Sequence, residues 1–224
     1  MNSSRQLTAQ GAERKRQLLD AAALLFSEQG YASTRVVDIV DAAGVAKGLF
    51  YWYFENKEAL FRELAADIRR QLRRAQRHAM DRSAPALVQL IQGTLASVQF
   101  TADHASFFSL LEVEGRNVAD ELRRGTEQHL KDVRSLIREG QADGTVTTDD
   151  DADLLALAVV GAVAQFSHFH RTGRIDMDLG ELGHYVARLV TRILTADEQI
   201  ARRSLAQVLK ASRDAQPVRR VPVA

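Results

Sequence analysis

Apolar residues in this chain recur at intervals of three and four rather than two, and they do so over long stretches that no proline interrupts. From Glu13 to Glu28, residues Leu18, Leu19, Ala22, Leu25 and Phe26 share one helical face, which ends at Gly30. A short helix is expected next, with Thr34 as its N-cap, Ile39, Val40 and Ala43 buried, and a stop at Gly44. A third helix, Ala46 to Trp52, follows after one tight turn. Asn56 then caps a long fourth helix carrying Leu60, Phe61, Leu64, Ile68 and Leu72. Beyond Ser83-Ala84-Pro85 the same period predicts helices over Pro85 to Thr101, Ala105 to Glu114, Ala119 to Ala142, Asp151 to Thr172 and Leu179 to Thr195. Asp197 to Ala211 reads as one more amphipathic helix, and the last dozen residues as a loose basic tail. Gly144 and Gly173 mark clear breaks, and no stretch alternates as a strand would. The expected fold class is all-α.

Composition narrows the picture in two respects. With no cysteine the chain can hold neither a disulfide framework nor a Cys-ligated zinc, which suits a reducing cytoplasm, and its 224 residues suffice for a core without staples. The longest apolar run, Leu154 to Ala164, is too short to span a bilayer, and the polar start Met1 to Arg5 leads into no signal-peptide core. A soluble cytoplasmic protein with no membrane partner is therefore expected. The net charge of +1 conceals an uneven distribution: +1 over residues 1–57, +3 over 58–82, −7 over 83–180 and +4 over 181–224. An acidic middle directs any nucleic-acid contact towards the flanking segments.

The chemistry is concentrated in Thr34 to Phe54. Two short helices joined through a glycine, the second ending in aromatic residues, make a helix-turn-helix whose second helix can enter the major groove. Ile39, Val45, Phe50 and Phe54 can pack these helices against Phe26, and Gly44 permits the sharp turn. Small residues at Ala46 and Gly48 let backbone approach DNA, while Lys47, Tyr51, Tyr53 and Lys57 supply donors for phosphates and base edges.

Three runs, Phe26 to Tyr31, Asp38 to Gly48 and Phe50 to Phe61, closely resemble the TetR family of transcriptional regulators. The resemblance covers the first quarter of the chain by motif. It implies a homodimer that represses transcription at a double-stranded DNA operator and leaves it when a small-molecule effector binds the C-terminal domain. It further implies that Tyr51, Tyr53 and Lys57 sit on phosphates and that Lys47 opens the recognition helix. Thr34 and Arg35, at the start of the preceding helix, complete the expected DNA-binding set with Ala46, Gly48 and Leu49. Ala46, Leu49 and Arg35 stand where the family usually carries hydroxyl residues, so phosphate contacts are lost there, and Leu49 can instead touch a thymine methyl. On this reading the domains are a helix-turn-helix domain over 1–57, a larger ligand-binding and dimerisation domain over 58–196, and a C-terminal helix and tail over 197–224.

Other chemistries find little support. The arginines at 69, 70, 73, 74 and 77 read as a solvated helix face, or alternatively as an attractor of an anionic ligand such as an acyl-thioester. His168 and His170 lie about 200° apart on a helix and cannot chelate one ion together. No nucleophile with its base and no glycine-rich phosphate loop is present, so neither an enzyme nor a cofactor is expected. A helical carrier or enzyme that works without DNA is the alternative class.

Asp151 to Thr172 is apolar on more than one side, and Leu179 to Thr195 is so more weakly, which suits a two-fold four-helix interface. Leu157, Gly161, Ala164, Leu182, Val186, Leu189 and Ile193 are the expected interface residues, and a two-fold dimer implies an inverted-repeat operator. Phe100, Phe107, Phe108, Leu111 and Phe166 are candidate pocket residues for a mainly apolar ligand, with Gln165 and His168 fixing its orientation.

Overall fold

The computed structural model describes residues 9–114 and 119–214, and every regular element among them is an α-helix. In chain order these are α1 (Ala9–Gln29), α2 (Val36–Ala42), α3 (Lys47–Tyr53), α4 (Lys57–Ala79), α5 (Ala86–Asp103), α6 (Ala105–Glu114), α7 (Ala119–Asp143), α8 (Ala152–Arg171), α9 (Leu179–Leu194) and α10 (Glu198–Asp214). The expected basic tail after Asp214 lies outside the described residues.

The helices fall into two compact units. One takes the chain up to Arg70 together with His104–Gly125; the other takes Gln71–Asp103 together with the chain from Thr126 onward. The break expected at residue 57 thus falls inside the first unit, because the first half of α4 belongs to its core. Leu60 and Phe61 of α4 are fully buried, as are Leu18 and Ala22 of α1, Ile39 of α2 and Phe50 of α3. Phe61 is the hub. Its ring meets Phe26 edge-on at 5.8 Å, Tyr31 at 5.1 Å and Phe107 of α6 at 6.4 Å, so α1, α4, α6 and the α1–α2 turn share one aromatic cluster. Gly44, at φ +64°, makes the reversal between α2 and α3 that a side chain would strain.

Outside this cluster a string of ion pairs runs along α1 and α4. Glu63 pairs with Lys15 at 3.3 Å and Arg70 at 3.2 Å; Asp67 pairs with Arg70 at 3.1 Å and Arg16 at 3.6 Å. Such partly exposed pairs contribute only ~0–1 kcal/mol each. They do show that Arg70 is answered by the protein's own carboxylates. Arg69 lies against Gly125, while Arg74 and Arg77 are exposed.

The second unit is organised around α5, which packs against α8, α9 and α10 and is buried along most of its length. Its hydroxyls are satisfied without water: Thr94 donates to the Leu90 carbonyl at 2.9 Å, and Ser97 to that of Gly93 at 2.7 Å while accepting from Gln76 at 2.8 Å. Gly140 sits where α7 ends, Val146 folds back and α5 begins; a Cβ there would lie 2.5 Å from Val146 and 3.3 Å from Ala86. Asp151 and Asp178 cap α8 and α9 by accepting backbone N–H groups of their first turns. Helix α8 as a whole extends beyond the apolar run noted in the sequence, and its 20 residues are long and apolar enough to cross a membrane. One face, with Ala152, Leu155, Ala156 and Val159, is instead buried within this unit.

Candidate functional site

Helix α3 is held from beneath and open above. Phe50 is fully buried, and its ring lies 5.6 Å from that of Phe54 just past the helix end. Lys47 and Tyr51 stand one turn apart on the opposite side, and Gly48 and Trp52 stand one turn apart beside them. All four are exposed, Tyr51 by 52% and Trp52 by 56%, and nothing lies within 4 Å of where a Gly48 Cβ would be. Together they form a face with a cation, a phenol, an indole and a gap where backbone can come close to a ligand. Ala46 is the exposed N-cap with no side-chain cap bond, and Leu49 is half-buried at the edge of the face. Trp52 is a member that residue type alone did not pick out; its one-turn spacing from Gly48 is the signal that finds it.

Several expected DNA contacts are turned inward. Thr34 is fully buried: its hydroxyl donates to the Gly30 carbonyl at 2.8 Å and accepts from Gln29 at 3.3 Å. It is not the N-cap of α2, because Arg35 is. Arg35 has no side-chain oxygen for that task; the Asp38 N–H donates instead to the Arg35 backbone carbonyl at 3.1 Å, and the Asp38 carboxylate reaches back to accept the Arg35 backbone N–H at 2.8 Å. The same carboxylate accepts from the Arg35 guanidinium at 2.8 and 3.2 Å, and this bonding holds the Asp38 carboxyl below its ordinary pKa. The contact is therefore in force at neutral pH and is lost only as pH falls through that lowered value. Tyr53 donates its hydroxyl to the Gly11 carbonyl in α1 at 2.7 Å. Lys57 donates to the carbonyls of Tyr31 at 2.6 Å and Thr34 at 2.7 Å, with its ammonium 4.2 Å from the centre of the Tyr31 ring.

This arrangement coincides with a known family signature. The model for the bacterial regulatory proteins of the tetR family matches residues 18–64, from the middle of α1 into α4. The chain belongs to the TetR family. Among curated relatives, the HTH-type transcriptional repressor DhaR of Mycobacterium sp. (strain GP1) is 27% identical over 199 residues, which are 85% of this chain and 97% of that one. The repressor KstR2 of Mycolicibacterium smegmatis is 29% identical over 153 residues, 66% of this chain and 74% of that one. The fold agrees with solved structures. The fatty acid degradation regulator FadR of Bacillus halodurans superimposes with a TM-score of 0.73 at 22% identity, over 87% of this chain and 99% of that one. FadR of Bacillus subtilis, solved with stearoyl-CoA, gives 0.71 at 22% identity, over 80% and 99%. The protein is thus a DNA-binding transcription regulator and not an enzyme.

In the second unit of this TetR-family regulator the expected interface residues separate into two groups. Leu157, Gly161 and Ala164 of α8 are exposed beside Leu154 and Ala158; Leu154 is 64% and Leu157 54% accessible. On α9, Leu182 and Val186 point the other way and are buried within the unit's own core, so they are not part of an exposed face; Leu189 and Ile193 are half-buried. The exposed side of α9 carries Tyr185, Arg188 and Arg192 instead.

The candidate pocket residues are divided between the two units. Phe107, Phe108 and Leu111 belong to the unit of α1 to α3, while Phe100, Gln165, Phe166 and His168 belong to the other. Phe107 is buried next to Phe61, Phe166 lies 5.5 Å from the Tyr185 ring, and Gln165 is exposed. A cavity of about 390 Å³ in the second unit is lined by other residues, among them Ala79, Leu95, Val98, Gly183, His184 and Val208.

Proposed function

We propose that this regulator is a dimeric repressor that grips an inverted-repeat operator with two copies of α3 and leaves it when a small, largely apolar molecule binds its C-terminal unit. The observation that carries this reading is the exposed face of Lys47, Gly48, Tyr51 and Trp52 on a helix anchored from below. A cation and aromatic groups around a glycine suit both phosphate contact and close backbone approach in a major groove. Repression is supported by the repressor names of the DhaR and KstR2 relatives, and an effector with a long apolar portion by the stearoyl-CoA in one structural neighbour. The 390 Å³ cavity falls within the ~300–1,000 Å³ usual for small-molecule sites. Exposed Leu154, Leu157, Ala158, Gly161 and Ala164 supply the dimer face.

The test is a titration of labelled upstream DNA and of a random duplex at several salt concentrations. Affinity is expected to fall linearly on a log–log plot against salt, more tightly for the operator, with two half-sites ~34–36 Å apart or at a longer spacing protected together. Protection of one asymmetric half-site at saturation would argue against the dimeric operator complex.

Lys47→Ala separates sequence reading from anchoring. The substitution is expected to relax preference at one base pair, with a discrimination loss of ~1–3 kcal/mol for a guanine edge, as measured on a library of operator variants. Equal weakening at every variant would instead put Lys47 on phosphate.

A further inference from the structure

Tyr53 and Lys57 are the two expected phosphate donors whose polar ends point into the protein, and both are bonded to α1 or the turn that follows it. The Lys57 ammonium sits over the Tyr31 ring and between two backbone carbonyls, those of Tyr31 and Thr34. Tyr31 itself is 7% exposed and locked against Phe26 and Phe61 at 5.2 and 5.1 Å. The residue after Thr34 is Arg35, the N-cap of α2, so the clamp fixes where the helix-turn-helix begins. At the other end of the motif, the Tyr53 hydroxyl fastens the last residue of α3 to Gly11 near the start of α1.

From this geometry we infer that Lys57 and Tyr53 are positioning residues of the DNA-binding unit: they hold α2 and α3 at a fixed attitude to α1. This rests on the DNA-binding reading above. The ammonium fits because two carbonyls and a ring face converge on a single compact charge, which a lysine satisfies with rotating donors. Arginine, with a planar fork, matches a phosphate at least as well but cannot put its donors into the same small space. Charge-assisted bonds of this kind are the strong ones, and their loss frees the turn without removing any apolar core.

The experiment compares wild type with Lys57→Met, Lys57→Arg and Tyr53→Phe. Each is measured for binding to an operator selected from random oligonucleotides and to a random duplex across a salt series, under conditions where circular dichroism shows the variant folded. Trp52 is the chain's one tryptophan and lies 4.5 Å from the Tyr53 ring, so its fluorescence reports the attitude of α3. Lys57→Met and Tyr53→Phe are expected to lose about tenfold in operator affinity. Random-duplex affinity should fall much less, the salt slope should stay that of wild type, and the Trp52 emission should shift. Lys57→Arg should fail to rescue. A salt slope shallower by about one unit, equal weakening on both duplexes and rescue by arginine would assign Lys57 to phosphate and overturn the inference. Unchanged binding with only a lower melting temperature would reduce both residues to plain stabilisers and overturn it equally. A wild-type protein without salt-dependent duplex binding would remove the DNA-binding reading on which it stands.

Discussion

Gly161→Arg is expected to break the dimer proposed above into monomers and to weaken its hold on a two-site operator by ~100-fold or more, because the link between the two recognition units would be lost. The substitution is informative because the isolated protomer has room for it: nothing lies within 4 Å of a Cβ at Gly161, and the residue is exposed on α8. Its neighbours Leu154, Leu157, Ala158 and Ala164 form a face apolar enough to require cover and small enough at its centre for close helix approach. A guanidinium forced into such a crossing would be buried without a partner, which costs far more than an exposed one. Light scattering should report half the mass, with unchanged helicity by circular dichroism. A variant that remains dimeric would move the interface away from α8 altogether.

Phe61→Ala should remove ~3–5 kcal/mol of stability, the range for truncating a fully buried aromatic. The number is large against a typical total of ~5–15 kcal/mol, so the DNA-binding unit would be poorly populated at growth temperature. Phe61 earns this expectation by position: it touches Phe26, Tyr31 and Phe107, which come from α1, its following turn and α6, and is itself 0% exposed. Denaturant unfolding checks it, with Phe166→Ala as the comparison, since Phe166 is half-buried and its loss should cost far less. A loss below ~1 kcal/mol at Phe61 would mean that the cluster refills around the gap and is not the keystone of the unit.

The helices were legible because their apolar period is unbroken, and the cap Asn56 was legible because its capping oxygen lies next to the turn it serves; the caps Asp151 and Asp178 emerge only from the structure. Where residue type competed with geometry the reading slipped. Thr34 has the chemistry of an N-cap, yet its hydroxyl is taken by Gly30, and Asp38 reaches back to serve Arg35 from three residues downstream. The bonds of Tyr53 and Lys57 span 42 and up to 26 residues, and no local pattern encodes them. Leu182 and Val186 show a different gap: periodicity identifies an apolar stripe, but not whether its cover comes from the same chain or from a second copy.

The glycines of this chain set two separate limits on how it can vary. Gly140 is hemmed in by Val146 and Ala86, so any larger residue there must push α7 and α5 apart, and a screen for folded protein would reject it. Gly48 and Gly161 face open space, and such a screen would pass most replacements at either position. On the proposed reading only a screen for operator binding would reject those, since both lie on surfaces that the lone protomer leaves uncovered. Substitutions at these two sites are therefore the kind that yield abundant, well-folded and silent regulator; on the proposed dimer, a Gly48 variant would still pair with wild-type chains in a mixed population, whereas a Gly161 variant would stay apart from them.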